Sequence, residues 1–146
     1  MPLFGRDAGP DRVALLVDGP NVLREEFDVD LDDVRAVAAH RGRLVVTRCY
    51  LDDRASSGLI QAAEARGFEV RMTSGDVDVK LAVDGTALAC DGDIDLLAVA
   101  SRDTDFKPLL ELAAARGLQT LAIAPGTHGR SDALRNAAHE AETLSE

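Results

Sequence analysis

Short apolar runs alternate with stretches of helical periodicity along this chain, and Gly, Pro and Asp mark most of the boundaries. Val13-Ala14-Leu15-Leu16-Val17 is a continuous apolar run that stops at Asp18-Gly19-Pro20, which predicts a strand buried on both faces. Leu31, Val34, Val37 and Ala38 recur at helical spacing before Gly42, predicting a helix over 31–40. Leu44 to Leu51 is rich in strand formers (Val45, Val46, Tyr50), whereas Ala55 to Arg66 is Ala-rich, helical and closed by Gly67. Phe68 to Met72 predicts a third strand. Val77 to Ala89 carries Val77, Leu81, Leu88 and several alanines, which predicts a helix capped by Asp76 or Asp78. Ile94 to Ala100 predicts a buried strand. Asp105 to Arg116 predicts a helix that tolerates Pro108 in its first turn. Leu118 to Ala124 predicts a fifth strand ending at Pro125-Gly126, and Ser131 to Thr143 a last helix.

This alternation predicts an α/β fold, a three-layer α/β/α Rossmann-like domain with a parallel, roughly five-stranded sheet and right-handed crossovers. A chain of 146 residues suits one domain, expected over 12–146, with Met1 to Asp11 as a loose lead-in. No apolar run is long enough to span a bilayer and the N-terminus has no signal-peptide core. Cys49 and Cys90 show no metal-type spacing and read as reduced packing thiols, so a cytoplasmic location is expected.

The formal charge of −10 would argue against a nucleic-acid partner. Asp outnumbers Glu, however, and Lys80 and Lys107 are the only lysines among many arginines. That bias is a habit of proteins from high-salt cytoplasms and predicts a halophilic source. Folding stability should then rise between dilute buffer and molar KCl in a urea titration; an unchanged midpoint would refute it. Under this reading net charge says little about the ligand, and the placement of individual charges says more.

In an open α/β sheet, ligands bind beyond the C-terminal ends of the strands. The first strand delivers Asp18-Gly19-Pro20-Asn21 there, the third leads through Gly75 into Asp76-Val77-Asp78, and the fourth delivers Ser101-Arg102-Asp103-Thr104-Asp105. Two carboxylates about 4 Å apart repel by roughly 4 kcal/mol at an effective dielectric of 20, so such a convergence needs protonation, arginines or a metal to offset it. An all-oxygen set without a His or Cys cluster points to Mg²⁺ or Mn²⁺. Taken singly, Asp76, Asp78, Asp103 and Asp105 each also suit a helix cap, and Asp18-Gly19 an ordinary turn. Capping does not account for several acidic strand ends at one edge. Asp84 lies about 240° around the helix from Asp78, so the two do not share a face. Asn21 suits either a ligand contact or a cap, Ser101 a turn hydroxyl supporting the carboxylates, and His40 and His139 the helix surface. The Gly126–Ser131 loop, with His128 and Arg130, matches no phosphate-binding fingerprint, although its backbone and Arg130 could hold a phosphate. Arg24, Arg54, Arg102 and Lys107 fall on or beside the same edge and could meet a phosphate backbone.

Val17-Asp18-Gly19-Pro20-Asn21, then Gly75-Asp76-Val77-Asp78-Val79 with Leu81-Ala82-Val83-Asp84, then Ser101-Arg102-Asp103-Thr104-Asp105-Phe106 together resemble the NYN domain family of the PIN-like nuclease superfamily. The likeness runs from about Arg12 to Leu144 and is closest to a stand-alone archaeal branch. It implies a PIN-like acidic pocket for Mg²⁺ or Mn²⁺ and a ribonuclease activity leaving a 5′-phosphate. By the resemblance Asp18, Asp78, Asp103 and Asp105 are the acidic positions, and Asn21 and Ser101 their polar companions. Asp84 matches a frequent further acid, and Arg24, Arg102 and Arg130 are the basic candidates for substrate contact. A homodimer is compatible with the superfamily. The chain departs from many relatives in having Gly75-Asp76 where they carry lysine and glycine; here the lysine is Lys80. No added RNA-binding domain is evident.

The expected chemistry is metal-assisted hydrolysis of RNA phosphodiesters. One rival is a non-catalytic module that binds RNA or protein. Another is a Toprim-like or phosphatase-like magnesium site, but those enzymes place glutamate or a DxD motif after the first strand. A response-regulator receiver would need lysine where this chain has Ala124-Pro125-Gly126.

Overall fold

Arg12–Asp18 forms strand β1, and every residue in it from Val13 onward is buried. It occupies the middle of the sheet, paired in parallel with Arg43–Asp52 (β2) on one side and Leu96–Ala100 (β4) on the other. A strand so placed has no solvent face, which is why its sequence is continuously apolar rather than alternating. Glu69–Thr73 (β3) extends the sheet beyond β2, while Gln119–Ala124 (β5) and Glu140–Thr143 (β6) extend it beyond β4. The order is β3-β2-β1-β4-β5-β6, all parallel. The computed structural model describes residues 11–23, 29–126 and 132–144. Arg24, His128, Arg130 and Ser131 therefore lie outside the described residues, as does the expected lead-in before Asp11.

Helices cover both faces, and the pleat decides which side chains each meets. Leu31–Ala39 (α2) and Ser57–Ala65 (α3) pack on one face, over Val13, Leu15, Val17, Cys49 and Leu51. Val77–Asp91 (α4), Lys107–Ala115 (α5) and Asp132–Ala137 (α6) cover the other, over Ala14, Leu16, Tyr50, Leu97 and Val99. A four-residue helix, Gly19–Val22 (α1), follows β1 directly. Local chemistry sets several starts: the Asp30 carboxylate accepts from the Asp32 amide at 2.8 Å and the Ser56 hydroxyl from the Leu59 amide at 3.1 Å. Gly85 lets α4 approach closely, since a Cβ there would meet Leu109 Cδ2 at 2.8 Å and Leu16 Cδ1 at 3.3 Å. No helix among the described residues is long and apolar enough to cross a membrane.

The three-layer α/β architecture with a parallel sheet is as expected; the sheet has six strands rather than about five. The difference lies at the C-terminus, where the helix expected over Ser131–Thr143 gives way after Ala137 to β6. Glu140-Ala141-Glu142-Thr143 has the composition of a helix, but the open edge of β5 offers backbone partners that override it. The turn into β6 is held by Thr120: its backbone N–H donates to His139 Nδ1 at 3.1 Å, and its hydroxyl accepts from the His139 amide at 2.9 Å. Arg41 then clasps Glu140 and Glu142 at 2.9 and 3.0 Å.

Candidate metal centre

The strand order reverses between β1 and β4, so a crevice opens beyond their C-terminal ends. β1 delivers Asp18 there, 4% exposed, and β4 delivers Ser101, 1% exposed. Gly19 makes the turn behind Asp18 possible, because a Cβ at that position would lie 2.5 Å from the Tyr50 carbonyl oxygen. Asp18 follows Val17 in the pleat and so faces the same side as Ala14 and Leu16, the side covered by α4.

Ser101 ties the two strand ends together. Its hydroxyl donates to Asp18 Oδ2 at 3.0 Å and accepts from the Asp103 amide at 3.0 Å. The Asp103 carboxylate in turn accepts from the Asp105 amide at 2.9 Å, starting the 3₁₀ turn Thr104–Phe106 that leads into α5. Opposite stands Asp78 in the first turn of α4. Carboxylate oxygens of Asp78, Asp103 and Asp105 all lie within 4.8 Å of one another. Such a spacing of anionic oxygens suits a hard divalent cation.

The electrostatics agree with that crowding. Burial pushes the Asp18 carboxyl up to about 6; the charges of Asp103 and Asp78 add to this, against hydrogen bonds from Ser101 and the Asn21 backbone. Asp105, although exposed, is raised by the Asp103 charge. Neither shift would suit an isolated surface carboxylate.

A pocket of about 530 Å³ opens over the cluster, lined by Asp18, Pro20, Asn21, Asp52, Asp53, Arg54, Ser74, Gly75, Asp76, Val77, Asp78 and Asp103. Among the described residues its walls thus carry six aspartates and a single arginine. Asp76 occupies the N-cap of α4, yet its side chain makes no capping bond and lines the pocket instead. Asn21 lines it too, and its Oδ1 is buried without a hydrogen-bond partner among the described residues.

The NYN domain model matches residues 12–145. The chain belongs to the NYN domain family. Membership places it in the PIN-like nuclease superfamily, whose folds generally use divalent metals. An uncharacterized protein of the archaeon Methanocaldococcus jannaschii is 45% identical over 130 residues, covering 89% of this chain and 54% of its own length. The chain thus spans about half the length of that curated relative. A crystal structure of a Vibrio parahaemolyticus protein of unknown function superposes with a TM-score of 0.81 at 21% identity, covering 96% of each chain. That likeness carries the fold alone.

Of the residues singled out in the sequence, Asp18, Asn21, Asp78 and Asp103 line the pocket and Asp105 joins its carboxylate cluster. Ser101 lies beneath it, occupied with Asp18 and Asp103. Arg102 and Lys107 are not among the lining residues. Asp84 stands apart, where its carboxylate accepts from the Tyr50 hydroxyl at 2.8 Å and pairs with Lys80 at 3.1 Å and Arg71 at 3.5 Å. Burial alone would raise its pKa, but the bonds from Tyr50 and Lys80 and the charges of Lys80 and Arg71 hold it below the usual carboxylate range. Asp52 and Asp53 were missed, and a signal for them existed. They end β2, and the reasoning that singled out the other strand ends applies equally to this one.

Proposed function

We propose that this NYN chain acts in the cytoplasm as a metal-dependent ribonuclease that hydrolyses RNA phosphodiester bonds. The observation that carries the reading is the meeting of Asp78, Asp103 and Asp105 oxygens within 4.8 Å, beside a buried Asp18 fixed by Ser101. In this reading Asp18, Asp78, Asp103 and Asp105 hold Mg²⁺ or Mn²⁺, since every donor is a hard carboxylate oxygen. A divalent ion bound there supplies Lewis-acid stabilisation of the charge that builds on a phosphate during hydrolysis. Ser101 keeps the two strand ends in one geometry, so the carboxylates are placed before substrate arrives. Asn21 offers an amide to the scissile region, and Arg54, the one cation among the described residues of the pocket wall, meets the negative backbone.

The test is cleavage of end-labelled single-stranded RNA by the full chain with Mg²⁺ or Mn²⁺, against the same reaction in excess chelator. Cleavage only with metal, leaving 5′-phosphate ends, is the expected result. Intact RNA with both metals and a folded protein would overturn the reading. RNA retained on the protein in that case would favour a non-catalytic RNA-binding module.

A further inference from the structure

We propose that Tyr50 and Asp84 form a positioning pair that sets the register of α4, and with it Asp78, against Asp18, and that Asp84 itself is not a metal ligand. The proposal rests on the metal-site reading above.

Distance along the helix separates Asp84 from the cluster. Six residues at 1.5 Å each place it roughly 9 Å further along α4 than Asp78 and about 240° around it, too far for both to meet one ion. Its oxygens are also committed. Oδ2 accepts from the Tyr50 hydroxyl at 2.8 Å and faces Arg71 at 3.5 Å, while Oδ1 pairs with Lys80 at 3.1 Å. The carboxylate is only 11% exposed, and Arg48 stands 4.0 Å away. A buried carboxylate so surrounded has its charge already balanced by the protein.

Tyr50 connects this cluster to the site. It is fully buried on β2 and is the direct partner of Asp18 in the β1–β2 register. Its side chain shares the α4 face of the sheet, so the hydroxyl reaches from the strand beside Asp18 onto the helix that carries Asp78. Val77 and Leu81 bury the first turns of α4, but apolar contact is non-directional and tolerates a small slide of the helix. A hydrogen bond at 2.8 Å to a charged acceptor does not. Asp18 and Asp78 come from elements distant in sequence, and Tyr50–Asp84 is a directional contact that ties α4 to β2, the strand whose Tyr50 pairs in register with Asp18.

The experiment is Mn²⁺ binding by isothermal titration calorimetry on the full chain, for wild type, Tyr50→Phe, Asp84→Leu (similar in size, with no acceptor) and the double variant, with thermal unfolding as a fold control. Each single variant should weaken Mn²⁺ about tenfold, a typical effect of removing a residue that orients a ligand. The double variant should be no weaker than either single one, and the number of ions per chain should stay at the wild-type value. Loss of an ion or of more than a hundredfold affinity in Asp84→Leu, with Tyr50→Phe at wild-type affinity, would make Asp84 a ligand and overturn the proposal. Lowered melting temperatures with unchanged Mn²⁺ affinity would also overturn it, since the pair would then only stabilise the fold. Absence of Mn²⁺ binding in the wild type would overturn the metal reading and this proposal with it.

Discussion

Asp103→Asn is expected to lower single-turnover RNA cleavage at saturating Mn²⁺ by at least about a hundredfold, while leaving the melting temperature close to wild type. Asp103 is the hub of the centre. Its amide is held by Ser101, its carboxylate holds the Asp105 amide, and its oxygens meet those of Asp78 and Asp105. Its charge raises both Asp18 and Asp105. Asparagine keeps an oxygen that can accept from the Asp105 amide, so the 3₁₀ turn survives. What it removes is one of the negative charges that would bind the proposed cation, and a loss of about 3 kcal/mol in transition-state stabilisation corresponds to a factor of about a hundred in rate. Cleavage by the variant within a factor of about ten of wild type would place the chemistry elsewhere.

Asp18→Asn should have the opposite effect on stability, raising the melting temperature of metal-free protein at pH 7.5. Because burial lifts the Asp18 carboxyl from 3.8 to about 6, the folded state holds its proton more tightly than the unfolded chain does. Between these values the native state binds more protons, so stability falls as pH rises from about 4 to about 6 and stays reduced above that. The cost at neutral pH is on the order of 3 kcal/mol. Asparagine has no charge to bury and can still accept from the Ser101 hydroxyl. A gain of about 2 kcal/mol would raise the melting temperature by roughly 5 °C in a domain of this size. The advantage should vanish below about pH 4, where wild-type Asp18 is neutral in both states. Added Mn²⁺ should stabilise the wild type and barely affect the variant, because only a protein that binds the ion gains from mass action. Melting curves in chelator and in Mn²⁺ at pH 4 and 7.5 check all three points. A variant less stable than wild type at pH 7.5 in chelator would refute the idea that Asp18 is held charged at a cost.

How far the sequence could be read depended on how local each cause was. Val13–Val17 announces a central strand because its burial leaves no room for a polar residue, and Asp18 announces itself because a carboxylate follows such a run directly. Ser101 was legible as a support for the same reason. β6 was not, because its cause lies in the unpaired edge of β5 and in Thr120 and Arg41, remote in sequence from residues that by themselves favour a helix. The surroundings of Asp84 were illegible in the same way. Nothing in Leu81-Ala82-Val83-Asp84 discloses that Tyr50 and Arg71, on two other strands, will enclose that carboxylate. Asp52 and Asp53 were legible but unread: Arg54 was placed at this edge from the sequence, and the two aspartates beside it close a predicted strand like the others.

The reversal of strand order also governs when the centre comes into being during folding. Asp18 and Asp78 belong to the half of the chain that builds β1, β2, β3 and α4, whereas Ser101, Asp103 and Asp105 belong to the half that builds β4 to β6. The Ser101–Asp18 bond spans 83 positions of sequence, a contact that forms only after a long loop has closed. Neither half carries a complete set of carboxylates, so a nascent chain still lacking β4 exposes no assembled cation site. On the proposed metal reading, competence to capture a divalent ion arrives with the docking of β4 against β1, and only a chain whose two halves have already met carries the whole set of carboxylates.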